Sequence, residues 1–311
     1  IADPFEDLRN SIGNRYGIKN KYSSHLEMLE KSDIDAVVIT LPRKLSFSVI
    51  RDCLKRNKWI FTEKPLCLNL ENAYEILDLS IKHRRSVYVG YMKTSDDGTK
   101  ILKNKFKLFP TNKLKTIKAF CYSGYSYASP FGDIKGKQLK TVNYDYENFP
   151  TWLNKELEVS YEQYLNTFTH ITHTLEFITE GKLKFVNYLG NRDGEGFLSA
   201  TISCLDIPIS IESIKGKQNE WIEGIEFIYE DLIAKINYPA AFLRNVPAKI
   251  NISKGIDYSF NENIRPQWSW SFMNQTSSFY EMINSKEINR NNLISSINQI
   301  KLVSDLYRTL S

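Results

Sequence analysis

The sequence predicts an α/β fold: a parallel sheet, incomplete at its N-terminus, followed by an α+β unit with a large, mostly antiparallel sheet. Two observations carry this. In the first third, short Val/Ile-rich runs alternate with helical patterns, which is the rhythm of βαβ units. Beyond about residue 112, strand-like runs follow one another across short turns, as in an antiparallel sheet.

The elements follow in order. Ala2-Asp3-Pro4 reads as the end of a strand, and Asp3-Pro4 then opens a helix with Phe5, Leu8, Ile12 and Tyr16 at helical spacing, ended near Gly17. Ser24 is the N-cap of a short helix reaching Lys31. The run 36–40 is too short for a helix and reads as a strand, as do 58–62 and 86–91. Helices at 44–56 and 69–83 lie between them; the second carries Leu70, Ala73, Ile76, Leu77 and Ile81. Residues 115–123 alternate as a strand should, and 124–157 are an aromatic, polar connection. A helix at 158–180 precedes strands at 183–190, 197–204, 207–215, 221–229, 231–238 and 247–254. Helices at 274–286 and 290–309 finish the chain, the last with a broad apolar face of Leu293, Ile297, Ile300, Leu302, Val303 and Leu306. The expected division is residues 1–112 as a nucleotide-binding unit and 113–311 as a substrate-binding unit, with helix 290–309 folding back on the first.

Composition narrows the function. Hydrophobic residues at 42% and charged residues at 25% are those of a soluble globular protein. The net charge of +5 is dispersed. Its densest runs, Lys103 to Lys107 and Lys113 to Lys115, read as solvated helix faces, so no nucleic-acid partner is expected. A mildly basic surface suits a phosphorylated substrate or cofactor. No apolar run is long enough to span a bilayer, so no membrane partner is expected. Cys53, Cys67, Cys121 and Cys204 are widely spaced and read as buried thiols of a reducing compartment, which points to the cytoplasm. The chain begins at Ile1 and not Met, a start that reads as lying inside a domain.

Two clusters carry chemistry. Glu63-Lys64-Pro65 ends the strand of Trp59 to Thr62, at the sheet edge where open α/β folds bind ligands. Proline fixes the chain direction after Lys64, and a lysine so held can act as an acid/base or donate to a substrate hydroxyl. Taken alone, it is also the pattern of a surface lysine in a strand-to-helix turn. The second cluster is Asn166, His170 and His173, spaced to share one face of a helix. A histidine near neutral pKa accepts a proton from an alcohol, although a hydrogen-bonded core histidine gives the same pattern. His170 and His173 lack nearby ligand partners other than Glu176, so no metal is expected. His25 and His83 lie on predicted surface helices.

Together these residues resemble the glucose–fructose oxidoreductase/inositol dehydrogenase/rhizopine-catabolism (Gfo/Idh/MocA) family of NAD(P)-dependent oxidoreductases. The resemblance runs through Ala2-Asp3-Pro4, Tyr16-Gly17-Ile18, Asp33 to Ile39, Leu41-Pro42, Glu63-Lys64-Pro65-Leu66, Val89-Gly90-Tyr91, the helix from Asn166 to Gly181 and residues 290–309. It implies a Rossmann-like first unit. It implies that Lys64 and His170 are catalytic, that Asn166, His173 and Tyr91 contact substrate, and that Asp3, Leu41, Pro42, Glu63 and Lys64 bind the cofactor. That cofactor is NAD, with NADP as the second option. Asp3 would hold the adenosine ribose hydroxyls. The implied reaction passes a hydride between NAD(P) and a hydroxyl or keto carbon of a sugar, sugar nucleotide or cyclitol. A homodimer or homotetramer is implied as well.

The chain departs from the family pattern in three places. The Gly-rich phosphate loop and first strand, roughly 30 residues, are absent ahead of Ile1. The position four before the histidine, usually Asp, is Asn166, and the position three after it is His173. The first two departures support an alternative reading, a non-catalytic ligand-binding or scaffold relative that kept the fold. The aromatic segment Trp268 to Phe272, with Tyr122, Tyr125 and Tyr127, reads either as a sugar-stacking wall or as core of the second unit.

Overall fold

The computed structural model describes residues 1–123, 145–190, 196–204, 206–215, 220–241, 243–255 and 260–310. Its first sheet has three parallel strands, β1 (Ala36–Ile39), β2 (Trp59–Glu63) and β3 (Val87–Gly90), in the order β1-β2-β3. Helices α1 (Glu6–Arg15) and α2 (His25–Lys31) precede it, α3 (Arg43–Lys55) and α4 (Leu70–His83) connect its strands, and α5 (Asp97–Phe106) follows. The Ser24 hydroxyl accepts from Glu27 N at the start of α2, as predicted.

Alternation along β2 sends side chains to two different covers. Ile60 joins Ile50, Leu54 and Ile76 of α3 and α4 on one face. Trp59 and Phe61 meet Phe279 and Met282 of α7 (Ser271–Ser285) on the other, where Phe61 stacks on Tyr88 with ring centroids 5.6 Å apart.

The second sheet has eight strands: β4 (Leu114–Ser123), β5 (Lys184–Gly190), β6 (Gly196–Cys204), β7 (Ile207–Lys215), β8 (Ile222–Tyr229), β9 (Leu232–Tyr238), β10 (Lys249–Lys254) and β11 (Phe260–Ile264). Their order is β11-β10-β9-β8-β4-β7-β6-β5. Two antiparallel meanders are thus joined through β4, which pairs antiparallel with β8 and parallel with β7. That parallel pair and β11 are additions to the sequence reading. One face of this sheet, with Ile117, Ala119, Ile225 and Phe227, is buried beneath α5 and α6 (Glu158–Thr179).

The last helix, α8 (Asn291–Arg308), packs on α4, α6 and β3. Its Asn292 accepts from Val89 N (2.6 Å) and donates to Val89 O (3.1 Å), so a side-chain amide satisfies the free edge of β3. A single hydrophobic core runs from β1 through α6 and α8 to β10.

Several sequence readings are adjusted. The Lys103–Lys107 run is ion-paired: Lys103 and Lys107 to Glu180, and Lys105 to Glu262. Trp268 is 88% exposed and so is not core. Tyr122 lies on the outer face of β4, opposite Cys121, and donates to Glu212 at 2.6 Å. Tyr125 and Tyr127 fall outside the described residues. No described helix is long and apolar enough to cross a membrane.

Candidate active site

The ends of β1, β2 and β3 open towards the N-terminal half of α6, and the candidate residues arrive from each. β1 leads into the exposed turn Leu41-Pro42, where Pro42 is the N-cap of α3. β2 delivers Glu63 and then Lys64, whose bond to Pro65 is cis. β3 ends at Gly90, directly across from Glu63 in register. Space is tight there: a Cβ would sit 3.1 Å from Phe61 Cζ and 3.2 Å from Glu63 Oε1. The Glu63 side chain therefore lies across Gly90, and burial raises its carboxyl.

Lys64 and α6 meet directly. The Lys64 ammonium donates to Asn166 O at 2.7 Å and to Asn166 Oδ1 at 2.6 Å, joining residues 102 positions apart. Both acceptors are neutral dipoles. Burial and the neighbouring Arg43 lower the lysine to about 7. One turn along α6, His170 is also half-buried, with Nδ1 closed off and without a hydrogen-bond partner. Burial, then the charges of Lys64 and Lys93, hold it well below the usual imidazole range. His170 is therefore neutral at physiological pH, and its lone pair is free to accept a proton.

His173 lies deeper. Its ring stacks on Tyr91 with centroids 3.9 Å apart and planes at 10°, and neither of its nitrogens has a hydrogen-bond partner. Burial lowers it to about 3. Tyr91 also meets His170 edge-on at 6.3 Å. Glu176, on the same helix, accepts from Leu183 N and Gln299 Nε2, so its carboxylate serves the packing of α6 on α8.

Asp3 stands apart from this cluster. Its Oδ1 accepts from Phe5 N at 2.8 Å ahead of α1, and no hydrogen bond to its other oxygen is made among the described residues. Two concavities of about 690 and 540 Å³ lie elsewhere, along the segment 145–153 where it crosses α3 and α4. Glu147 in their walls is filled by Leu68 N, Asn69 N and the Asn72 amide, and neither concavity is lined by Lys64 or His170.

Sequence reasoning missed two cations beside Lys64. Arg43, at the start of α3, bonds Glu162 of α6 at 2.9 Å. Lys93, in the 3₁₀ turn Met92–Ser95 after β3, is buried and paired with Glu223 of β8. The signal for the second was available. Glu223 holds an inner-face position in step with Ile225, Phe227 and Tyr229, where an acid is out of place without a partner.

Residues 1–91 match a family described as "Oxidoreductase family, NAD-binding Rossmann fold", the Gfo/Idh/MocA family. A Gfo/Idh/MocA assignment over this segment accords with the inositol 2-dehydrogenase/D-chiro-inositol 3-dehydrogenase of Lacticaseibacillus casei, 35% identical over 85 residues, or 27% of this chain and 25% of that protein. The myo-inositol 2-dehydrogenase of Thermotoga maritima is 27% identical over 103 residues, 33% of this chain and 31% of its own. The match thus spans a quarter to a third of these relatives.

Beyond that segment the likeness is one of fold. KijD10, a 3-ketoreductase from Actinomadura kijaniata solved with NADP and TDP-benzene, superposes with a TM-score of 0.73 at 16% identity, over 98% of this chain and 86% of its own. A dehydrogenase (MviM) from Clostridium difficile gives 0.72 at 13% identity, over 98% and 89%.

Proposed function

We propose that the protein is an NAD(P)-dependent oxidoreductase acting on a CH–OH or keto carbon of a sugar, sugar nucleotide or cyclitol, with Lys64 and His170 as its catalytic residues. The observation that carries the reading is the Lys64–Asn166 contact, which brings the lysine at the end of β2 to the helix that bears His170. The family of residues 1–91 and the fold likeness to KijD10 support it.

The residues present suit the cofactor. Three parallel strands end at one edge, as dinucleotide sites require. Asp3 has a carboxylate oxygen to spare for ribose hydroxyls, and Leu41, Pro42, Glu63 and Lys64 would flank the nicotinamide end. When bound, NAD(P) supplies the hydride acceptor or donor.

The chain's own groups handle the proton. Two of the three ammonium hydrogens of Lys64 go to Asn166, which leaves one for a substrate oxygen. His170, neutral and one turn away, accepts the hydroxyl proton in oxidation and returns it in reduction. Lys64 meanwhile stabilises the developing negative oxygen, which would be costly if unpaired in a dry site. Asn166 fixes the lysine, and Tyr91 and His173 form the wall beside the imidazole. The unpartnered His173 nitrogens are suited to substrate hydroxyls.

The test is turnover with NAD⁺ and NADP⁺ against a panel of cyclitols, sugars and sugar nucleotides. Lys64→Met and His170→Gln should each lower kcat by about 10²- to 10⁴-fold while the fold is retained, and His170→Gln should retain cofactor affinity. Cofactor binding without turnover on any member of the panel would instead favour a non-catalytic relative.

A further inference from the structure

A second lysine lies behind the first. Lys93 follows β3 as Lys64 follows β2, but it is only 5% exposed. Its ammonium is held by the Glu223 carboxylate, which also accepts from Trp221 Nε1 at 2.9 Å. It lies 4.8 Å from the Tyr238 ring centroid and 5.9 Å from that of Trp221. The sheet builds this socket in one row: Cys121, Glu223 and Tyr238 are direct register partners on β4, β8 and β9, and all are buried. The Tyr238 hydroxyl is tied to Thr99 of α5 at 2.9 Å. An acid–base pair so enclosed is costly to bury, and an apolar pair would pack as well. The mechanism above uses neither member.

We propose that Lys93, held by Glu223, is a positioning residue of the candidate site: a buried positive charge seated behind Lys64 and His170 that acts on both. The proposal rests on the catalytic reading of Lys64 and His170. The turn Met92–Ser95 that carries Lys93 packs against α6, the helix of Asn166 and His170, and it follows Gly90, the register partner of Glu63. The other titratable groups acting on Lys64 are Arg43 from α3, Glu63 on its own strand and Cys121 from β4, and His173 also acts on His170. Of the cations brought by other elements, Lys93 is the buried one, 6% exposed at its side chain against 30% for Arg43. Water and salt screen Arg43, so the enclosed charge acts at the lower effective dielectric. Its influence reaches both candidate groups and favours the neutral form of each.

The test needs no substrate and no turnover, so it can fail while the oxidoreductase reading stands, and the reverse. Protein labelled with ¹³C at lysine Cε is titrated by NMR. The resonance with a midpoint near 7 is assigned to Lys64 by its loss in Lys64→Arg. Lys93→Met removes the buried cation and should raise that midpoint by about half a unit or more. Glu223→Gln leaves the cation unbalanced and should lower it. The double variant, which removes a net charge of zero, should return it close to the wild-type value. A merely structural role would not produce shifts of opposite sign. Should Lys93→Met not fold, the near-isosteric Glu223→Gln decides alone. An unchanged Lys64 midpoint in Glu223→Gln, or shifts of the same sign in the two single variants, would overturn the proposal.

Discussion

The ends of β2 and β3 each place a lysine beneath the same helix, and the two are treated oppositely. Lys64 is offered the carbonyl and amide oxygens of Asn166, and no carboxylate among the described residues bonds it. Lys93 is offered a carboxylate, two aromatic faces and no open surface. Dipoles orient an ammonium without compensating its charge, so burial brings Lys64 down to about 7, where it can exchange a proton. A carboxylate partner offsets the charge of Lys93 instead. The two lysines differ in the charge of their partner, and Lys93 is the more deeply buried.

The most direct way to break this comparison is to give Lys64 the partner that Lys93 has. Asn166→Asp places a carboxylate where the amide oxygen now accepts at 2.6 Å. The Lys64 midpoint should rise by about 1–3 units from its value near 7. Activity that depends on a lysine poised near neutrality should shift its pH profile the same way. A midpoint that stays near 7 would show that burial, and not the partner, governs this lysine.

A smaller effect is expected at His173, enclosed like Lys93 but given no polar partner. Its value of about 3 in the folded state lies below the 6.5 of an exposed imidazole. The unfolded chain therefore binds a proton between those values that the folded chain refuses, and stability falls as pH drops from about 6.5 towards about 3. His173→Phe keeps the stack on Tyr91 and removes both orphaned nitrogens. In denaturant titrations the variant should gain about 1–3 kcal/mol at neutral pH, and more across that acid window. If the nitrogens hold substrate, KM rises while stability improves. A variant no more stable than the wild type would show that the two nitrogens are satisfied in solution.

The contrast also shows what could be read from the sequence. Lys64 was legible because its neighbours in sequence define it: an apolar strand before it, a proline after it, and an ordered series of matching segments around it. α6 was legible from its length and periodicity, and His170 from its place upon it. Lys93 and Glu223 are 130 residues apart by their numbering, and nothing local links them. Their pairing depends on β8 lying beside β4 and on the turn after β3 reaching that row, which only the assembled sheet decides. The same holds for β4 itself. Its alternation marks a strand, but its insertion between two meanders, parallel to β7, is a non-local choice. α5 was legible only as the helix face of Lys103 to Lys107, and its opening at Asp97-Gly98 is a weak helical start. Asp96 compensates by capping Gly98 N and Thr99 N and by accepting from Ala248 N.

The finest distinction lies between the two cations that flank Lys64. Arg43 bonds Glu162 and is partly solvated, whereas Lys93 is sealed. At low salt Arg43→Gln should raise the Lys64 midpoint, because a nearby positive charge has been removed. That shift should shrink towards a few tenths of a unit or less as ionic strength approaches about 1 M, where the Debye length is about 3 Å. The shift caused by Lys93→Met should persist at the same salt, because ions do not enter its socket. Measuring both midpoints at low and high salt therefore separates the two cations by environment, independently of their distances to Lys64. Equal salt sensitivity would mean that water and ions reach Lys93, and the sealed socket would not exist in solution.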